Sequence, residues 1–418
     1  MGQHDLNHAV YEVDLLAPAH GGVCLGRLPD GRAVFVPFAL PGERVRVRLV
    51  ESKRTFARAE LLEVLQPAPQ RIAPRCPHYG LCGGCHYQHT DYATQCALKA
   101  ATLREQLQRL AGIVEPPLRP IVPSPQPWNY RNTVQFHLDP QGRLGYHRAD
   151  SHQVVAIREC HLPEPVLNQV WPQLEFEPRL GLERVELRAG SGEEVLLILE
   201  SQDPQPPEFS VDFPLSAVHL SPAGTIVLAG EDYLVMEILG RPFKVSAPSF
   251  FQVNTAQAAA MVQHLLDILP LTPQSTLLDV YCGVGLFTAF LAPRVGRCLG
   301  VEVSPSACED FAVNLDEFDH VALYQGAAEE ILPWLDVRPD VVVVDPPRAG
   351  MAPDALEALI RLGPTYLAYV SCDPATLARD LKHLLGAGYR LLHITPFDLF
   401  PQTYHIESIS LLELPKQT

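Results

Sequence analysis

TLLDVYCGVG, residues 276–285, is the stretch from which the rest of the chain can be read. An apolar run carries Asp279 near its end, and the turn Tyr281-Cys282-Gly283-Val284-Gly285 then opens a helical pattern. Glycines at such a turn allow a tight bend and let a ligand approach the backbone. The dinucleotide fingerprint asks for a third glycine, and Thr288 stands in its place. Without a pyrophosphate cradle, the turn suits a nucleoside ligand that carries no phosphates.

Outward from this turn, RCLGVEV, DVVVVDP and YLAYVSC repeat the pattern of buried strands separated by helical stretches such as Thr255–Leu269. That alternation predicts a mostly parallel sheet with helices on both faces, whose ligand lies beyond the carboxyl ends of the strands. Asp279, Glu302 and Asp345 all fall at such ends. A carboxylate at Glu302 can accept both ribose hydroxyls. A bland strand–helix turn needs none of these groups, and together they predict a class I methyltransferase site for S-adenosylmethionine. Cys282, Cys298 and Cys308 read as packing residues.

The chain has 418 residues, which predicts several domains. Residues 1–66 hold short alternating runs with turns at Pro29-Asp30-Gly31 and Pro41-Gly42, the texture of a small OB-like barrel. Residues 67–90 form a cysteine-bearing segment. Residues 91–115 read as a helix expected to pack on the catalytic domain, and residues 116–245 as a central antiparallel sheet. Residues 246–418 complete the catalytic domain. No run reaches the ~18 apolar residues of a membrane span, and a cytoplasmic monomer is expected. The net charge of −16 argues against indiscriminate coating of nucleic acid, though not against a specific RNA enzyme with a local patch. Arg44, Arg46, Arg48, Lys53, Arg54 and Arg58 crowd one segment with three glutamates, which by itself reads as a solvated strand face.

The chemistry sharpens at the last two motifs. Carbon 5 of uracil attacks a methyl sulfonium poorly unless a thiolate first adds to carbon 6, and a base must later remove the carbon 5 proton. Ser371-Cys372-Asp373-Pro374 follows a buried strand and opens a helix. A cysteine near a helix N-terminus is expected to have its thiolate favoured by the dipole, so Cys372 is read as the nucleophile. Asp345-Pro346-Pro347-Arg348 resembles the loop of amino-methylating enzymes, but Arg348 replaces the stacking aromatic and points away from amine chemistry. Glu407, at the start of the last strand pattern, is balanced on chemistry alone between a base and a strand-end glutamate.

Cys76-x5-Cys82-x2-Cys85 supplies three corners of a metal site, with Cys160 the best candidate for the fourth. Four thiolates suit zinc or an iron–sulfur cluster equally. His78, His86 and His89 read as RNA-facing or structural, and Cys96 as packing.

Taken together these motifs resemble the RNA uridine-5-methyltransferase family over nearly the whole chain. VFVPFALPGERV looks like its TRAM barrel, PSFFQVN like its Phe-x-Gln-x-Asn segment, and LLDVYCGVG, DPPRAG, SCDPATLARDL and His-x-Glu-Ser like its catalytic motifs. The resemblance implies an α/β class I (Rossmann-like) methyltransferase domain with an N-terminal OB-like TRAM β-barrel and an α+β central domain. It implies Cys372 as nucleophile and Glu407 as proton-abstracting base. Gln252, Tyr281, Glu302 and Asp345 would be cofactor or active-site contacts, with Leu286 a weaker one. Leu286 and Ala327 depart from polar residues found in relatives. One branch of the family carries a [4Fe-4S] cluster on this cysteine pattern, which implies Cys76, Cys82, Cys85 and Cys160 as its ligands. The cluster and barrel favour a uridine of 23S rRNA. A tRNA T-loop enzyme and a non-catalytic RNA-binding iron–sulfur sensor are the alternatives.

Overall fold

The computed structural model describes residues 9–415 except 150, 179, 209 and 212. The chain forms two compact units. One comprises Met1–Gln106, His147–Gln153 and Phe400–His405; the other comprises Leu107–Tyr146, Val154–Leu399 and Ile406–Thr418.

In the first unit, β1 (Val10–Ala19), β2 (Val23–Arg27), β3 (Ala33–Pro37), β4 (Arg44–Ser52) and β5 (Phe56–Gln66) close a barrel in the order β1-β2-β3-β5-β4. The period-2 alternation of β4 sends Val45, Val47 and Leu49 into the barrel core and leaves Arg44, Arg46 and Arg48 outside. Those arginines are neutralised on the spot. Arg44 and Arg46 meet Glu12 at 3.1 and 3.6 Å, and Arg48 meets Glu60 at 2.9 Å. Arg46 also reaches Glu63, and Lys53 and Arg58 share Glu51. Such exposed pairs are worth ~0–1 kcal/mol each, so this is the solvated strand face read from the sequence.

Glu43 is different. It is buried, and its carboxylate accepts two hydrogen bonds from Arg71 and one each from the Leu40 and Ala68 amides. Burial alone would raise its pKa, but these donors hold it below the usual carboxylate range. The cysteine segment follows, then α1 (Tyr92–Gln106), started by Asp91, which accepts from the Thr94 amide at 2.8 Å. Gln95 of α1 exchanges two hydrogen bonds with Gln402, and buried Lys99 donates to the Phe400 carbonyl at 3.0 Å. The segment 400–405 is thereby fixed within this unit. Helix α1 thus belongs with the barrel, and the π-helical turn Leu107–Ala111 that continues it belongs to the second unit.

The second unit contains two sheets and a hairpin. β6 (Thr133–Leu138), β7 (Leu144–His147), β8 (Val154–Ala156), β9 (Arg184–Ala189), β10 (Val195–Glu200), β11 (Ser216–Ser221) and β12 (Gly224–Ala229) form a sheet in the order β12-β11-β10-β9-β6-β7-β8. It departs from the expected antiparallel arrangement at β10 and β11, which run parallel. Helix α2 (Pro165–Val170) packs against β9. β13 (Tyr233–Ile238) and β14 (Arg241–Ser246) make the hairpin, and α3 (Thr255–Ile268) follows.

The remaining elements alternate as the sequence predicts: β15 (Thr276–Val280), α4 (Leu286–Leu291), β16 (Arg297–Glu302), α5 (Pro305–Asn314), β17 (Val321–Gln325), α6 (Ala328–Ile331), β18 (Val341–Val344), α7 (Pro353–Leu362), β19 (Tyr366–Ser371), α8 (Pro374–Gly386), β20 (Arg390–Phe397) and β21 (Glu407–Glu413). Their order is β17-β16-β15-β18-β19-β21-β20, parallel except for β21, which runs antiparallel to both neighbours. Val341 to Val344 are all buried, because a central parallel strand is covered on both faces.

Replacing Glu43 by Ala will lower the unfolding free energy by ~3 kcal/mol in urea titrations, because it removes a buried carboxylate that binds two backbone amides and strands the half-buried Arg71. A loss below ~1 kcal/mol would contradict this account of the barrel. Because the folded pKa of Glu43 is depressed, its contribution is present above about pH 4.3 and disappears as pH falls through the folded value.

Candidate active site

Four parallel strands, β16, β15, β18 and β19, end on one edge of the sheet, and the antiparallel β21 begins there. Five acidic or thiol groups therefore collect at that edge from distant parts of the chain: Asp279, Glu302, Asp345, Cys372 and Glu407. Ser371 pairs with Ser408, so one further step of the register sets Cys372 opposite Glu407. Facing residues of an antiparallel pair have Cβ atoms about 5 Å apart.

At the glycine turn, Tyr281, Gly283 and Gly285 all have positive φ, at 65°, 54° and 90°. The amides of Tyr281 and Cys282 both donate to the Val301 carbonyl, at 2.9 and 3.1 Å, which bends the chain sharply off β15. A Cβ on Gly285 would sit 2.8 Å from Leu315, so glycine is required there for space as well as conformation. Glu302 is held by three backbone amides, those of Gly283 at 2.9 Å and of Val303 and Ser304 at 2.8 Å each. Its carboxylate is thus fixed beside the turn. Asp279 is wholly buried; Thr288, at the position of the missing glycine, donates to it at 2.6 Å.

Gln252 is half-buried on a clamped backbone. Its carbonyl accepts from the Asn132 side chain at 2.9 Å, and the Asn132 amide donates to Val253 at 3.0 Å. Asn254 caps α3 and donates to the Leu399 carbonyl at 3.1 Å. The preceding loop is tied to α5 by buried Asp310, which accepts from Ser246 and Ser249, and to β9 by buried Arg188, which donates to the carbonyls of Ser246, Ala247 and Ser249. Leu286 is buried as the first residue of α4. Its side chain belongs to the core, which leaves only its backbone to face a ligand.

The loop after β18 is pinned from α8. Asp380 accepts from the Tyr369 hydroxyl at 2.6 Å and the Met351 amide at 3.0 Å, and Arg379 donates to the Met351 carbonyl at 3.0 Å. Asp345 continues β18, its amide donating to Val280 at 3.2 Å. Asp373, not Cys372, caps α8, accepting from the Ala375 and Thr376 amides at 2.9 Å each.

The electrostatics reverse one expectation. The Cys372 thiol is not eased towards thiolate by the helix dipole but pushed up to about 12, by burial and then by Glu407 and Asp345, with exposed Arg348 pulling the other way. Glu407 is raised well above the carboxylate range by burial and then by Asp345, again opposed by Arg348. Asp345 rises to about 7 through burial and the nearby Asp279, which itself rises to about 7 through burial. Acidic groups crowded in a low-dielectric edge suppress one another's ionisation. Such an edge is prepared for a cation.

Sequence reasoning had used Arg348 only to exclude amine chemistry, and missed its place among these groups. It also missed Asp380, although a charge inside the apolar stripe Leu377, Ala378, Leu381 and Leu384 was a visible signal. Asn132, Arg188 and Asp310 gave no such signal, because their partners are distant in sequence.

The expected cluster ligands lie in different units, Cys76, Cys82 and Cys85 in the first and Cys160 in the second, and all are half-buried. Within the first, the Gly84 amide points at the Cys82 sulfur at 3.4 Å. Among the described residues, no three or more His, Cys, Asp or Glu side chains are gathered as a metal-binding group. His89 is buried against the Tyr79 hydroxyl, with its pKa pushed down to about 4 by burial, and is structural.

Residues 223–414 match the model of the tRNA (Uracil-5-)-methyltransferase family, and residues 7–62 match the TRAM domain. An uncharacterized RNA methyltransferase of Streptomyces avermitilis is 36% identical across 96% of this chain and 98% of its own length. One from Thermosynechococcus vestitus is 36% identical across 97% and 98%. Among solved structures, the Pyrococcus abyssi tRNA (uracil-54, C5)-methyltransferase in complex with S-adenosyl-L-homocysteine superposes with a TM-score of 0.72 at 26% identity, covering 96% of this chain and 99% of that one. With its class I catalytic domain and N-terminal five-stranded barrel, the chain belongs to the RNA uracil-5-methyltransferase family and is an RNA methyltransferase with a TRAM domain.

Proposed function

We propose that this enzyme transfers a methyl group from S-adenosylmethionine to carbon 5 of a uridine in 23S rRNA through a transient bond between Cys372 and the pyrimidine. The observation that carries the reading is the register of β19 and β21, which sets a thiol and a buried carboxylate face to face at the ligand-binding edge. Glu302, fixed by three amides beside the glycine turn, fits a ribose diol, and the rim of Asp345 and Glu407 fits a cationic donor. The bound donor supplies an electrophilic methyl group.

Cys372, once deprotonated, adds to carbon 6 of the uracil and makes carbon 5 nucleophilic. After methyl transfer, Glu407 removes the carbon 5 proton, and the Cys372 sulfur leaves as the ring double bond reforms. Both groups must ionise, yet burial and the neighbouring carboxylates raise the pKa of each. A positive charge beside Asp345 and Glu407, added to that of Arg348, lowers both pKa values, so nucleophile and base are unmasked only when the donor is in place. Tyr281 and Asp345 follow the ends of β15 and β18, and with Gln252 they are assigned to holding donor and base, with Leu286 contributing through its backbone.

We assign Cys76, Cys82, Cys85 and Cys160 to a [4Fe-4S] cluster. Support comes from the cysteine pattern and its likeness to the cluster-bearing branch of the family. The cluster would organise RNA binding, since methyl transfer from a sulfonium moves no electrons. The cysteine pattern together with the barrel supports ribosomal RNA. A second reading, a tRNA T-loop uridine, is favoured by the substrate named for the Pyrococcus abyssi structure.

RNA from a strain lacking this protein will be short of one or more 5-methyluridines in 23S rRNA. The wild-type gene will restore them and Cys372→Ala will not, while Glu407→Gln will accumulate a protein–RNA adduct that survives denaturing electrophoresis. A deficit confined to tRNA would move the target to the T-loop, and methylation by the Cys372→Ala variant would remove the nucleophile.

Arg348→Met will shift the rising limb of the pH–rate profile for kcat/KM to higher pH, because the cation that lowers the pKa of Cys372 and Glu407 is gone. An unmoved or lowered limb is incompatible with this electrostatic account. Protein purified without oxygen should contain about four iron and four acid-labile sulfide per chain, and Cys82→Ala should lose them. Stoichiometric zinc, or no metal at all, would end the cluster assignment.

A further inference from the structure

The connection between β20 and β21 takes a long way round to reach Glu407. Phe397 pairs with Glu407, so the two ends of the connection meet at the last rung of that ladder. The chain leaves β20 in the second unit, runs through Phe400–His405 in the first, and re-enters the second at Ile406. Only Ile406, itself buried, then stands before Glu407 and the start of β21. What holds this connection therefore bears on where Glu407 is delivered.

It is tied down along its length. The Asp398 amide donates to the Val122 carbonyl at 3.0 Å, and the Leu399 carbonyl accepts from Asn254 at 3.1 Å. The Phe400 carbonyl accepts from Lys99 at 3.0 Å and from the Thr403 amide and hydroxyl at 3.1 and 2.8 Å. The Thr403 hydroxyl in turn accepts from the His405 amide at 3.2 Å. The turn is thus one braced piece, and Gln402 attaches it to its surroundings. The Gln402 amide donates to the Gln95 side-chain oxygen at 2.9 Å, and its own side-chain oxygen accepts from the Gln95 amide nitrogen at 3.0 Å. Its carbonyl accepts from the backbone amides of His86 and Tyr87 at 2.8 and 3.0 Å.

Gln402 also sits at a φ of 69°. Among the described residues, the other non-glycine positions with positive φ are exposed or half-buried, whereas Gln402 is buried. A left-handed conformation is costly for such a residue and persists only where its surroundings over-determine it. Here Gln95, His86 and Tyr87 do so. A glycine would make the same turn without that cost, but it would offer no side chain to Gln95 and would let the turn move.

Resting on the uridine-methylation reading above, in which Glu407 is the base, we propose that Gln402 is a positioning residue for Glu407, held in register by Gln95 of α1 and by the His86–Tyr87 backbone. Gln402 touches no reacting atom. It sets the course of the chain into β21, and so governs one step. In that step the Glu407 carboxylate takes the carbon 5 proton, the carbon–hydrogen electron pair becomes the ring double bond, and the bond from carbon 6 to the Cys372 sulfur breaks with its pair going to sulfur. Addition of the sulfur and transfer of the methyl group do not use Glu407 and are unaffected.

Each variant is incubated with S-adenosylmethionine and total RNA from a strain lacking the protein. Gln95→Ala removes both side-chain bonds to Gln402. It will lower kcat by up to about a hundredfold, the cost of displacing a reacting group by an ångström, and will hold methylated RNA as an adduct that survives denaturing electrophoresis. KM for RNA and S-adenosylhomocysteine binding by calorimetry will stay at their wild-type values. General damage to the fold would instead lower adduct formation and turnover together. Gln402→Gly and Gln402→Val both lose the side-chain bond and keep Gln95, but only valine resists a φ of 69°. Gln402→Val will turn over more slowly than Gln402→Gly and accumulate more adduct. Should Gln95→Ala lose S-adenosylhomocysteine binding, the Gln402 pair decides alone. An unchanged kcat in Gln95→Ala, a lower kcat with no adduct in a variant that still binds S-adenosylhomocysteine, or equal behaviour of the two Gln402 variants overturns the positioning role. If the wild-type protein methylates no uridine in this RNA, the underlying reading of function fails instead.

Discussion

One strand reversal organises this catalytic edge. In a wholly parallel sheet every strand delivers its carboxyl end to the ligand side, so a residue that opens a strand lies at the far edge. β21 runs the other way and brings its first residue, Glu407, to the edge where β19 releases Cys372. A shift of one residue in that pairing would turn the side chains of β21 to the opposite face. The pairing is resistant to such a slip, because β21 lies between β19 and β20 and is buried along nearly its whole length.

The second constraint is charge. Cys372, Glu407, Asp345 and Asp279 share a poorly solvated edge where each carboxylate raises the pKa of its neighbours. Ionising them all without a cation would be costly. Positive charge arriving at this edge would lower the pKa of each of these groups. Arg348 supplies part of that charge from a loop that Asp380, Tyr369 and Arg379 hold in place. The same logic is how Cys372, the proposed nucleophile, would reach its thiolate despite so unfavourable a thiol pKa.

Much of this was legible in the sequence because it is local. The glycine turn after an apolar run, the alternation of buried strands with helices, and the alternating barrel strands each announce themselves within about ten residues. Asp279, Glu302, Asp345 and Cys372 were readable as strand-end residues for the same reason. Glu407 was readable as the first residue of a strand but not as the neighbour of Cys372, since that depends on which strand lies beside it and in which direction. The dipole argument for Cys372 counted the helix and left out the burial and the carboxylates that only the fold brings to it. Helix α1 was readable as a helix, but the pairing of Gln95 with Gln402 was not, since it joins residues some three hundred apart. The neutralising of the barrel arginines by Glu12, Glu60 and Glu63 likewise depends on strand order.

The central claim is that one sulfur bonds to the pyrimidine during turnover. The most direct measurement uses RNA in which 5-fluorouridine replaces uridine, so that no proton can leave carbon 5 and the adduct persists. After incubation with S-adenosylmethionine and digestion, mass spectrometry of the peptides should find the methylated fluoropyrimidine nucleotide on the peptide containing Cys372. Attachment to any other residue, or turnover of natural RNA with no adduct formed from the fluorinated one, would contradict the account.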